Sequence, residues 1–184
     1  MFLKVRLTDS NSTRLFLWNL PIDGECSTEH FNSFTCSFIN FNFDNLKHPL
    51  LIKLFRDGRF VSPFLEHWLE QNTNLQLLSG NRTNDFVNSE GSFYQLKTFT
   101  KYGLNFRPSF QKGSQRIFNQ ESFELYCKSQ LFIIASIVDF PIVRFRVFKG
   151  ATLLKRYKLG RVPVKMHNSL FPVVSTNSLT QFYA

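Results

Sequence analysis

Charge is scarce: only 19% of the 184 residues are Asp, Glu, Lys or Arg, which argues against a disordered or coiled-coil chain. Cysteine is scarcer still. Cys26, Cys36 and Cys127 are odd in number, far apart and without CxxC spacing. They make neither a disulfide framework nor a zinc site, so a reducing cytoplasm is the expected compartment. The opening Met1-Phe-Leu-Lys-Val-Arg lacks an uninterrupted apolar run, so no secretory signal is expected. The longest apolar stretch, residues 131–143, is broken by Ser136, Asp139 and Pro141 and is too short to span a bilayer. Without a secretory context, the sequons at Asn11 and Asn81 read as turn asparagines. There is no GxxxxGK[ST], GxGxxG or GxSxG, so nucleotide hydrolysis, dinucleotide binding and esterase chemistry have no support. His30, His48, His67 and His167 do not pair at metal-ligand spacing, which disfavours a zinc nuclease. No organic cofactor is expected.

Apolar residues, by contrast, reach 43%, with 23 phenylalanines, enough for the core of one domain over residues 1–184. The formal net charge is +9, unevenly placed. Residues 1–96 carry 8 basic and 10 acidic groups, whereas residues 97–184 carry 14 basic and 3 acidic. A polyanion bound on one side of the molecule fits that split, with nucleic acid the leading candidate.

The order of elements follows from periodicity and punctuation. Residues 1–60 read as a β-rich subregion, with strands at 2–7, 13–20, 35–43 and 48–55, closed by the turn Arg56-Asp-Gly-Arg59. Ser62-Pro63 predicts a helix start. Phe64, Leu65, Trp68 and Leu69 share one face of that helix, and Glu66 and Glu70 lie on a neighbouring stripe. Strands are expected at 75–78, 84–87 and 92–100, with a turn at 88–91. A basic loop over 101–116 precedes a short helix at 119–127 and an apolar strand at 131–138. Residues 142–148 and 151–157 read as a hairpin turning on Lys149-Gly150.

The string Asn84-Asp85-(nine residues)-Gln95-Leu96-Lys97 puts oxygen ligands and a lysine on one hairpin. Gln95 and Lys97 share a strand face, and Asp85 converges across the turn. Asp85, the Gln95 side-chain carbonyl and the Leu96 backbone carbonyl are ligands for a hard divalent cation, with Glu70 the first choice to complete the shell. Lys97 alongside would stabilise phosphate charge or orient an attacking water. Each residue also has a plainer reading: Asp85 as a turn cap, Lys97 as an edge charge, Glu70 as a solvated helix residue.

This arrangement, over roughly residues 62–149, resembles the PD-(D/E)xK nuclease superfamily, and type II restriction endonucleases in particular. The resemblance implies Asp85 as first metal ligand, Gln95 in the second acidic position and Lys97 as the catalytic lysine. Two departures stand out: Asn84 replaces proline, and Gln95 replaces an acid. The second lowers the expected metal affinity unless Glu70 or Glu90 compensates.

Lys101, Asn105, Arg107, Ser109, Lys112, Gln115 and Arg116 fall in the basic loop and supply side chains that read base edges or hold phosphates. Arg144 and Arg146 alternate with Val143, Phe145 and Val147 and are expected to track a DNA backbone from one sheet face. Lys155, Arg156, Lys158, Arg161 and Lys165 form a second basic cluster, in a C-terminal extension over 151–184. The expected whole is a single α/β domain with a restriction-endonuclease-like central mixed sheet flanked by helices, its nuclease core over 62–150. Its expected activity is Mg²⁺-dependent, sequence-specific cleavage of duplex DNA by a homodimer. A homing endonuclease of the same superfamily, a non-catalytic ribosomal or RNA-binding subunit and, more remotely, a structural viral component are the alternatives.

Overall fold

The computed structural model describes residues 33–38, 47–78, 80, 84–111 and 117–172. The strands read at 2–7 and 13–20 lie outside these, as do most of the strand read at 35–43 and the sequons. Among the described residues, helices pack on both faces of a mixed sheet with strand order β1-β7-β6-β4-β3-β2. Its strands are β1 Ser33–Ser37, β2 Gln76–Leu77, β3 Phe86–Val87, β4 Phe93–Phe99, β6 Leu131–Ser136 and β7 Ile142–Lys149. A two-stranded ribbon pairs β5 (Leu104–Asn105) with β8 (Arg161–Val162). The α-helices are α1 His48–Phe55, α2 Gly58–Asn72, α3 Gln120–Lys128, α4 Gly150–Arg156 and α5 His167–Leu170.

The sheet centre is where the sequence is most apolar. β6 pairs in parallel with β4 and antiparallel with β7, and both its faces are covered. That double burial is why residues 131–135 form a nearly continuous apolar run. On one face, Leu96, Ile133, Ala135 and Phe145 pack against Leu51 of α1 and Val61, Leu65 and Leu69 of α2. On the other, Phe99, Phe132, Ile134 and Phe148 pack against Phe123 and Tyr126 of α3 and Leu153 of α4. From α2 through β6 the order is helix, four strands, helix, strand, which is the order expected from the sequence with β5 added between β4 and α3.

Four local readings change. Residues 48–55 form a helix rather than a strand, because Pro49 sits in the first turn, where its fixed φ and missing N–H cost nothing. α2 starts at Gly58, four residues before the expected Ser62. Asp57 is its cap, accepting from Arg59 N at 2.9 Å, and Pro63 lies within the helix. Residues 151–157 leave the sheet as α4, where Ala, Leu, Lys and Arg favour helix. Gly150 makes that departure possible: a Cβ there would come within 2.1 Å of the Cys127 carbonyl. The hairpin that does form joins β6 to β7. Fourth, the basic loop contains β5. No helix among the described residues is long and apolar enough to cross a membrane.

Candidate active site

The site lies where β3 and β4 part. Their ladder ends at Phe86↔Tyr94. Beyond it, Asp85 turns its side chain into the gap and accepts from Leu96 N at 2.7 Å and from the Gln95 amide. A carboxylate thus replaces a strand partner, which fixes Asp85 against β4. In an extended strand a residue's N–H and C=O point to the same edge, so the Leu96 carbonyl faces Asp85 as well.

The Gln95 amide is held at both ends. Its nitrogen donates to Asp85, and the buried Tyr126 hydroxyl lies 3.5 Å from Oε1. Burial first, and then the Asp85 charge, raise the Tyr126 pKa, so this phenol stays protonated as a donor. In this arrangement Oε1 faces away from Asp85. For it to serve as a cation ligand, as the sequence suggested, the amide has to turn over. The preceding residue, Asn84, accepts from Gln130 at 2.6 Å and steadies the strand start.

The helix carboxylate that meets this hairpin is Glu66, not Glu70. Glu66 lines the same cleft as Asp85, Gln95, Leu96 and Lys97. Its pKa is pushed up to about 7, by burial first and by the Asp85 charge next, while His67 and Lys97 pull it down. Glu70 instead accepts from Leu77 N at 3.3 Å and lies 3.6 Å from His67, facing β2. Four residues advance a helix by about 6 Å, enough to carry Glu70 past the cleft although the two share a stripe. Glu90 is exposed in the turn before β4, accompanied by Asn88, and does not line the cleft.

Two carboxylates in one part-buried space, with the Asp85 charge adding to the cost of ionising Glu66, form a donor set that a hard divalent cation would relieve. Glu66, Asp85 and the Leu96 carbonyl fit such an ion. Among the described residues there is no cluster of three or more His, Cys, Asp or Glu of metal-binding type, so backbone and amide oxygens would have to join the carboxylates.

The raised Glu66 pKa has a stability consequence. A carboxyl that titrates near 7 in the fold and near 4.5 when unfolded destabilises the metal-free protein progressively as pH rises between those values, and fully above them. Glu66→Gln is therefore expected to melt higher than wild type at pH 8 in EDTA. With partial solvent screening the gain is about 1 kcal/mol, roughly 2–4 °C. The gain disappears at pH 4 and shrinks when Mg²⁺ is added to the wild type. Equal melting temperatures of wild type and Glu66→Gln at pH 8 in EDTA would show that Glu66 is not held in this way.

Around the carboxylates the cleft, about 1110 Å³, has a mainly cationic rim: Lys53 on α1, Arg56 at its C-terminal cap, Arg59 at the start of α2, Lys101 after β4, and Arg161 on β8, with Arg59 paired at 2.8 Å to Asp57, which also lines the cleft. Lys97 and Asn105 also line it. The sequence alone puts Lys53 on a strand over 48–55 and Arg56 and Arg59 in the turn after it; the break between α1 and α2 is what brings the three to one rim. The expected nucleic-acid contacts divide differently. Lys101 and Asn105 line the cleft, Ser109 is exposed beyond it, and Lys112, Gln115 and Arg116 lie outside the described residues. Arg107 stacks on Phe118 with its guanidinium carbon 3.9 Å from the ring centroid and donates to the Leu159 carbonyl at 2.7 Å. Arg144 pairs with Asp139 at 3.2 Å. Arg146 cannot track a DNA backbone, because it is only 2% exposed and donates to the Leu170 carbonyl.

No family model, curated protein or solved structure matches the chain.

Proposed function

We propose that the protein is a metal-dependent endonuclease that hydrolyses phosphodiester bonds of duplex DNA at a specific sequence. The observation that carries this reading is the meeting of Glu66, Asp85 and Lys97 on the floor of a cleft whose rim is cationic. Acidic groups at the centre would repel a phosphate unless a cation lay between, while a basic rim draws the polyanion in. Asp85, Glu66 and the Leu96 carbonyl would hold Mg²⁺. When bound, that ion polarises the scissile phosphate and acidifies a water. Lys97, beside them on β4, neutralises charge that develops on the phosphate as the water attacks. Lys53, Arg56, Lys101 and Arg161 hold flanking phosphates and set the strand's register. Cutting both strands of a symmetric site calls for two such clefts, hence a homodimer.

One observation favours binding without turnover. The residue in the second acidic position is neutral, and its amide already occupies Asp85. A gel assay on phage genomic DNA, with Mg²⁺ or EDTA, separates the two. Discrete Mg²⁺-dependent bands are expected, lost in Glu66→Ala by about 10²-fold or more and retained in Glu70→Ala. Uncut but retarded DNA under every condition would establish the binder instead.

A further inference from the structure

The turn between β4 and β5 presents an aromatic ring at the cleft's edge. Tyr102 is 83% exposed, unlike the buried tyrosines Tyr94 and Tyr126, yet it lines the same cleft as Asp85 and Lys97. The turn is closed in both directions, Thr100 N to Gly103 O at 3.0 Å and Gly103 N to Thr100 O at 2.9 Å. The Thr100 hydroxyl also accepts from Tyr102 N at 3.1 Å. Gly103 lies so close to the Val162 carbonyl of β8 that the turn is fixed from behind. The ring is thus held out on a braced support. The Lys101 ammonium sits 5.0 Å from its centroid, placing a cation beside one aromatic face.

A tyrosine presented to water costs apolar exposure and contributes nothing to this core. Beside a cationic groove, a rigid ring is what sequence-tolerant stacking of a nucleobase requires, with the neighbouring lysine taking the adjacent phosphate. In an undisturbed duplex both faces of an internal base are covered by its neighbours. Only an unpaired, terminal or splayed base has a face to offer.

We propose that Tyr102 is a base-stacking residue, so that the cleft selects DNA in which a base beside the bound phosphate is unpaired or drawn out of the stack. This rests on the reading of the cleft as a DNA site and goes beyond it by naming the form of DNA preferred.

The test is equilibrium binding in EDTA, where cleavage is absent, by wild type, Tyr102→Phe and Tyr102→Ala. The probes are three fluorescein-labelled DNAs of equal length: a continuous duplex, the same duplex with a short internal single-stranded gap, and a single strand. Of the two duplexes the wild type is expected to prefer the gapped probe, and the single strand reports the stacking contact without a duplex. Tyr102→Ala should weaken binding to the gapped and single-stranded probes by roughly 5- to 150-fold and to the continuous duplex by less than about twofold, with Tyr102→Phe close to wild type. A 2-aminopurine at the gap should be quenched by wild type and by Tyr102→Phe, but not by Tyr102→Ala. Equal loss on all three probes, or none on any, would overturn the role of Tyr102 while leaving the DNA cleft standing. Failure of wild type to bind any probe would overturn both.

Discussion

Asp85→Ala and Lys97→Ala should each lower the single-turnover rate of DNA cleavage by about 10³-fold, with the fold retained. The two losses have different origins. Removing Asp85 deletes the one carboxylate fixed to β4 by its bonds to Leu96 N and Gln95, so the ion is lost from the place where the scissile phosphate must lie. Removing Lys97 leaves the carboxylates in place and takes away positive charge that reaches as far as Glu66. Residues that act as one unit do not add, so the double variant should be little worse than the worse single one. Asp85→Asn adds a control. It keeps the shape but removes the charge that helps hold Glu66 near 7, so the Glu66 pKa should fall toward ordinary values, which carboxyl NMR titration would follow. Cleavage within about fivefold of wild type in either alanine variant would place the chemistry elsewhere.

What could be read from the sequence, and what could not, divides by range. The apolar run of β6 and the Asp85–Lys97 hairpin depend on local alternation and turn residues, and both fall where expected. β3 is shorter than its apolar residues suggest: Asp85 N still donates to the Tyr94 carbonyl at 3.0 Å, but the Leu96 N–H goes to the Asp85 carboxylate and not to a backbone carbonyl, which ends the ladder. The segment 48–55 has no clear period, and short apolar runs fit helix or strand alike; Pro49 was the deciding residue. That Glu66 and not Glu70 lines the cleft has a tertiary reason: the two share a stripe, but only packing sets how far along it the cleft lies. Arg146 departs from expectation similarly. Alternation put it on a sheet face correctly, but the chain beyond β7 returns to cover that face with α5 and Leu170.

Gly103→Ala is expected to be the most damaging single-methyl change in the cleft wall. Gly103 has φ +91°, and a Cβ there would come within 2.3 Å of the Val162 carbonyl, a backbone atom that cannot rotate away. The left-handed backbone costs about 1–2 kcal/mol for an L-residue. Forcing β5 from β8 adds about 1–3 kcal/mol. Together these lower Tm by roughly 5–20 °C. Gly91 separates the two contributions, since its φ is +79° and a Cβ there would meet nothing within 4 Å. Gly91→Ala should therefore show the backbone cost alone, and the excess in Gly103→Ala measures how tightly the β5–β8 ribbon closes. The same ribbon carries Arg161 and braces the turn bearing Lys101 and Tyr102, so DNA affinity measured well below Tm should fall in Gly103→Ala and be unchanged in Gly91→Ala. Identical melting of the two variants would mean that the contact with Val162 is loose and that the cleft wall is not held from behind.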